Sequence, residues 1–201
     1  MSTAPAGIAI QLDGDFTVDW IPETLEQGGS IPTTSGTVDG DTFKAAMRTL
    51  AGGVVIVTTR VEGRPWGLTI SSCTSLTLDP PQILISLRGS ATSSREIEAR
   101  GAFGVSILSS EQRELAERGA AVGRSKFMDD VCVEGGRSRL SSPMVAGALF
   151  HLDCEVVAVH PVADHSLFVG SVAHAYAPES VGGRSPLMYF DRTFWGLGDR
   201  L

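Results

Sequence analysis

Apolar positions in this chain alternate with polar ones more often than they recur every three or four residues. VVIVTT (54–59), QILISL (82–87), FGVSIL (103–108) and PLMYF (186–190) are short runs rich in β-branched or aromatic residues. Bounded by Gly, Pro or Ser, such runs predict strands. ALFHLDCEVVAVHPV (148–162) and SLFVGSVAHAYA (166–177) are longer, and the turn-like PVADHS between them predicts a hairpin. GLTISSCTSLTL (67–78) predicts one more strand with two unlike faces. Leu68, Ile70, Ser72, Thr74, Leu76 and Leu78 form the mostly apolar side, expected to face a core. Gly67, Thr69, Ser71, Cys73, Ser75 and Thr77 form the other, and none of these is large.

Helical spacing is confined to three places. In DTFKAAMRTLAGG, Phe43, Ala46, Met47 and Leu50 share a face, Asp41 or Thr42 stands where a cap is needed, and Gly52-Gly53 stops the run. SSREIEAR (93–100) predicts a short helix ended by Gly101, and SSEQRELAERGA (109–120) a capped amphipathic one. At least six strands and two or three short helices, with no βαβ alternation, predict a mainly β fold: an antiparallel Greek-key barrel.

The 201 residues, 42% hydrophobic with mean hydropathy +0.11, suit one sizeable core. Charge then divides the chain. Residues 1–43 carry seven acidic and no basic residues, whereas all 16 basic residues and the other 16 of 23 acidic ones follow. Residues 1–40 therefore read as an acidic, extended arm, with a short ordered piece expected within 16–25, and 41–201 as the compact domain. No basic stripe exists for a nucleic-acid backbone, and no polybasic amphipathic segment for a membrane surface. No apolar run reaches the roughly 20 residues of a membrane helix. The absence of Lys or Arg before Lys44 gives no cationic start to a secretory signal. Cys73, Cys132 and Cys154 are odd in number and lack CxxC spacing, which predicts free thiols in a reducing cytoplasm.

Candidate chemistry concentrates in hydroxyls. The small-residue face of 67–78 reads either as a half-exposed strand or as the floor under a broad, flat or anionic ligand. GSATSS (89–94) opens a helix, and helix N-termini attract phosphate. Ser and Thr also cap helices that bind nothing. His151, His160, His165 and His174 have no zinc-type spacing, so no metal site is expected. A serine hydrolase finds no GxSxG elbow, since Gly104-Val105-Ser106 lacks the second glycine.

Together these motifs resemble the short-chain flavin reductases, the FMN-binding split barrels that serve two-component monooxygenases. FKAAMRTLAGGVVIVTT is similar to that family's first helix and strand, and GRPWGLTISSCTSLTLDPPQILISL to its GxPxGxTxxSxxSxSxDPP segment. FGVSILSSEQRELAERGA, Lys126-Phe127, SPMVAGALFHLDCEV, DHSLFVGSV and PLMYF follow in the family's order, covering about residues 41–197. The first 40 residues exceed the family core, and the position of Cys73 is often aromatic in relatives.

The resemblance implies a split barrel that transfers hydride from NADH or NADPH to FMN, or FAD, and supplies reduced flavin to a partner monooxygenase. It implies a homodimer. Pro65, Trp66, Gly67, Leu68 and Thr69 line the ring in that reading, and Ser71, Ser72, Cys73 and Ser75 offer donors. Ser90 with Thr92, or Ser93 one residue later, holds phosphate. Lys126 adds a cationic contact, Phe127 packs at the ring edge, and His165 seats the nicotinamide nucleotide. The alternatives are a flavoprotein that retains FMN and oxidises an organic substrate itself, and a non-catalytic flavin-binding protein.

Overall fold

The computed structural model describes residues 10–12, 16–18, 38–134, 140–177 and 184–198. The chain divides into two units, 1–43 and 44–201. In the first, β1 (Ile10–Leu12) pairs antiparallel with β2 (Phe16–Val18). The strand β2 lies in the stretch expected to be ordered, and residues 19–25 lie outside the described residues. Helix α1 (Gly40–Arg48) is capped by Asp39 rather than by Asp41 or Thr42. Its Oδ1 accepts from the N–H groups of both, each at 3.0 Å, and Thr42 Oγ1 donates to Oδ2 at 2.6 Å. The aspartate one residue upstream reaches both free N–H groups of the first turn.

The second unit is built on β3 (Gly52–Gly53), β4 (Val55–Val61), β5 (Arg64–Ile70), β6 (Cys73–Leu78), β7 (Pro81–Arg88), α2 (Thr92–Arg100), β8 (Ala102–Ile107), α3 (Arg113–Ala120), β9 (Cys132–Glu134), β10 (Pro143–Val145), β11 (Phe150–Val162), β12 (His165–Tyr176), β13 (Leu187–Phe190) and β14 (Thr193–Gly196). Seven strands form one antiparallel sheet in the order β5-β4-β8-β11-β12-β7-β6. The third predicted helix is shorter than its sequence pattern, because Ser110–Gln112 forms a 3-10 turn before α3.

Strands β5 and β6 are consecutive in the chain yet lie at opposite edges of this sheet. Only Ser71 and Ser72 join them. Three Cα steps reach at most about 11 Å, whereas the edges of a flat seven-stranded sheet stand roughly 29 Å apart. The sheet therefore has to curl into a barrel. This corrects the single strand expected over 67–78: the chain turns a corner at Ser71-Ser72, and the face that points inward changes there. Leu68 and Ile70 pack on the barrel core, but beyond the corner Cys73 does so, while Leu76 and Leu78 are 47% and 84% exposed.

Strand β4 is buried on both sides, which explains its unbroken apolar run. Val55 and Val57 join Ile83, Ile85, Phe103, Val105 and Phe168 inside the barrel, which Ile97 of α2 plugs. Val54 and Ile56 face a second core with Leu108, Ala116, Met128 and Leu187. Gly101, left-handed at φ 65°, ends α2 as its sequence position predicts.

Candidate functional site

Strand β7 delivers Arg88 to a loop, Gly89–Ala91, that opens α2. The helix cap is Ala91, extended at φ −68° and ψ 146°, and its methyl cannot bond the first N–H groups. No acidic residue stands in the first turn. The positive end of the helix is thus uncompensated, a local arrangement suited to an anion. Ser90 and Thr92 stand at the opening, while Ser93 is 3% exposed and accepts a hydrogen bond from Trp66 Nε1 at 3.2 Å. The structure separates these hydroxyls: Ser90 and Thr92 face outward, and Ser93 anchors the indole.

Arg95, one turn into α2, donates to the Ser90 carbonyl at 3.0 Å and lies 3.5 Å from Thr92 Oγ1. The β11–β12 turn approaches the same loop. Gly89 N–H donates to the Asp164 carbonyl at 2.9 Å, and Arg88 pairs in register with His165. His165 Nδ1 lies 2.8 Å from Asp164 Oδ1, a bond that, with the imidazole's charge, holds the carboxyl below its usual range. Trp66 meets Phe127 edge-on, centroids 5.0 Å apart, and the Arg64 guanidinium lies 3.9 Å from the Phe127 ring centre. Trp66, Ser90, Thr92, Ser93, Phe127 and His165 are therefore brought to one end of the barrel. Arg88 and Arg95 belong there too, and sequence reasoning missed them. Their signal was a cation on each side of the GSATSS hydroxyls.

The expected flavin floor is different. Gly67 is not open to a ligand: a Cβ there would lie 2.3 Å from Met128 Sδ, and its N–H donates to the Lys126 carbonyl at 3.0 Å. Small size at this position accommodates a methionine. Leu68 points into the barrel core, so it offers no side chain to a ring outside. The Pro65 carbonyl accepts from Met128 N–H at 3.0 Å. Lys126 is also committed. Its Nζ donates to the carbonyls of Gly119 and Ala121 at 2.8 and 2.6 Å, capping the end of α3, and burial lowers its pKa. These contacts remove Gly67, Leu68 and Lys126 from the side-chain donors and floor positions expected of them.

Beyond them, Ser71 is exposed at the corner, and Ser72 Oγ donates to the Ser86 carbonyl at 2.8 Å. Cys73 turns inward, where burial pushes its thiol up to about 11. Ser75 lies on β6 opposite Ile83 and is exposed. Thr69 points at α3, where Gly119 lets the helix approach: a Cβ on Gly119 would stand 2.2 Å from Thr69 Oγ1. That hydroxyl is buried without a hydrogen-bond partner. Other atoms of Thr69 line a cavity of about 360 Å³ together with Ser71, Glu117, Tyr189, Arg192 and Phe194.

A Ser-His-Asp chain does exist elsewhere. Ser106 Oγ lies 2.9 Å from His151 Nδ1, and His151 Nε2 lies 3.3 Å from Asp153 Oδ1. All three are at most 1% exposed, and Ser106 Oγ accepts from Val145 N–H at 3.1 Å. A nucleophile must touch its substrate. This one ties β10 to β8 and β11 instead. Among the described residues no cluster of His, Cys, Asp or Glu has the arrangement of a metal site.

The family model described as "Flavin reductase like domain" matches residues 47–198. The chain is 32% identical over 175 residues to an NADH-dependent flavin reductase of Rhodococcus sp, covering 82% of this chain and 92% of that one. It is 29% identical over 163 residues to HsaB, the reductase subunit of a flavin-dependent monooxygenase of Mycobacterium tuberculosis (strain ATCC 25618 / H37Rv), covering 81% and 85%. Among solved structures, SgcE6 of Streptomyces globisporus C-1027, an NADH:FAD oxidoreductase in complex with NAD and FAD fragments, superposes with a TM-score of 0.70 at 28% identity. That match covers 82% of this chain and 98% of that one.

Proposed function

The chain belongs to the flavin reductase-like family, and from that membership we propose that it is an NADH-dependent flavin reductase supplying reduced flavin to a partner monooxygenase. The observation that carries the reading is the uncapped start of α2, where Thr92, Ser90 and Arg95 converge beside Trp66 and His165. A flavin phosphate fits this donor set: helix N–H groups, two hydroxyls and a guanidinium, with no carboxylate in the first turn. From Trp66 along strand β5 to Ser71 just beyond its end is about 16 Å at the usual rise per residue. It is long enough to carry an extended FMN from the phosphate end to the Ser71–Cys73 corner.

When bound, the flavin supplies the redox chemistry, accepting hydride at N5 from C4 of the dihydronicotinamide. The residues of this chain bind and align. Thr92, Ser90 and Arg95 hold the anionic end, and Trp66 with Phe127 forms an aromatic wall whose indole is locked by Ser93. His165 seats the dinucleotide, its ring oriented by Asp164. No nucleophile is needed.

The outer face of β12, β7 and β6 supports a homodimer. Register places Leu167, Leu84 and Thr74 with their neighbours on that face. No described helix is long and apolar enough to cross a membrane, and three free cysteines fit a reducing, cytoplasmic setting.

The test is anaerobic: purified protein, FMN or FAD, and NADH, followed by flavin bleaching. Catalytic bleaching of added flavin supports the reading. A protein that binds flavin but fails to bleach it with NADH or NADPH is a flavin-binding protein. One that bleaches only its own retained flavin, and turns over an organic substrate, is a self-contained flavoprotein.

A further inference from the structure

The cavity beside Ser71 is built from segments far apart in the chain. Thr69 comes from the end of β5, Ser71 from the corner that follows it, Glu117 from α3, and Tyr189, Arg192 and Phe194 from the β13–β14 hairpin. Resting on the flavin reading above, we propose that this cavity receives the pyrimidine end of the flavin ring, with Arg192 as the counter-charge to the reduced form.

The chemistry of the lining matches that end of the ring. The pyrimidine edge presents two carbonyl oxygens and a ring nitrogen that gathers negative charge on reduction, with a single N–H between the carbonyls. The cavity offers the converse: the hydroxyls of Ser71 and Tyr189 and a guanidinium as donors, and one carboxylate, Glu117, as acceptor. Glu117 Oε1 is held by Arg113 at 2.8 Å.

The turn that carries Arg192 is also unusual. Asp191 and Arg192 occupy the two central positions of the hairpin at φ 45° and 64°. A two-residue turn of this kind favours Asn-Gly, and side chains as long as arginine rarely adopt it. The hairpin keeps the strained pair, anchored by Asp191 N–H donating to the Arg48 carbonyl at 3.1 Å. The result is a guanidinium over the cavity with no hydrogen bond or ion pair to another described residue. Tyr189 and Phe194, 5.3 Å apart and edge-on, form an aromatic side wall.

The experiment compares dissociation constants of oxidised and chemically reduced FMN, and of lumiflavin, which has no phosphate, under anaerobic titration. Wild type, Arg192→Gln, Arg192→Lys and Ser71→Ala are measured, with circular dichroism reporting the fold. Arg192→Gln is expected to weaken reduced FMN and reduced lumiflavin roughly tenfold or more while changing the oxidised forms less than about threefold. Arg192→Lys should fall between, and Ser71→Ala should weaken both redox states alike. Equal loss for both states in folded Arg192→Gln, or no loss, overturns the proposal. A wild-type protein that binds no flavin defeats the functional reading itself, whereas a working reductase indifferent to Arg192 defeats only this inference.

Discussion

Gly67→Ala separates two explanations of why this strand uses so small a residue. If glycine leaves room for a flavin, alanine weakens flavin binding and spares the flavin-free protein. If it leaves room for Met128, the flavin-free protein itself suffers. An ideal Cβ at Gly67 lies 2.3 Å from Met128 Sδ, 2.8 Å from Met128 Cε and 2.9 Å from Ile56 Cγ2. Methionine is flexible, but Met128 and Ile56 are both fully buried, and the branched Ile56 has little rotamer freedom. Overpacking of this kind costs about 1–3 kcal/mol, offset by about 0.5–1 kcal/mol from replacing glycine. A net loss of about 1–2 kcal/mol is expected, or about 2–8 °C in melting temperature for a chain of this size. Met128→Ala alone should cost about 2–5 kcal/mol, and the double variant should lose up to about 1–2 kcal/mol less than the sum, because the Met128 part of the clash is gone and only the Ile56 contact is left. Urea unfolding of flavin-free protein reads all four corners of the cycle. Additive losses, or Gly67→Ala that is fully stable but poor in flavin binding, would refute the packing argument.

His165→Ala should lower kcat/KM for NADH roughly a few-fold to a hundredfold, the range for one lost hydrogen bond, while flavin affinity changes little. Identical stopped-flow bleaching traces across NADH concentrations would remove His165 from the site. Deleting residues 1–38 should leave a folded protein that still reduces flavin, and a truncation that keeps its circular dichroism but loses reduction would show that the arm helps build the site. Burial raises the Cys73 thiol to about 11 from an ordinary 9.0. The unfolded chain therefore loses this proton first as pH rises, and the stability contribution is present below about 9 and lost toward 11. At pH 8.5, alkylation of Cys73 should be roughly a hundredfold slower in folded than in urea-unfolded protein, as mass spectrometry of the labelled peptide would show.

Local pattern alone determined much of this protein. The alternating runs marked the principal barrel strands, Gly101 marked the end of α2, PVADHS marked the long hairpin, and the ordered motifs marked the family, because each depends on neighbours within a few residues. The hydroxyls of GSATSS could be placed at a helix start for the same reason. What sequence could not decide was which face of a strand looks where once the chain closes on itself. Alternation assigns residues to two sides but names neither, and at Ser71-Ser72 the barrel requirement exchanges them, turning Cys73 inward and Thr74 out. Gly67 looked like space for a ligand until Met128, 61 positions later, filled it. Lys126 looked like a free cation until the carbonyls ending α3 accepted its hydrogen bonds. The cavity under Arg192 joins residues more than 120 positions apart, and no local window contains it. Period and turn chemistry are short-range properties of a chain, whereas the partner of a face is set by barrel closure, which only the tertiary structure decides.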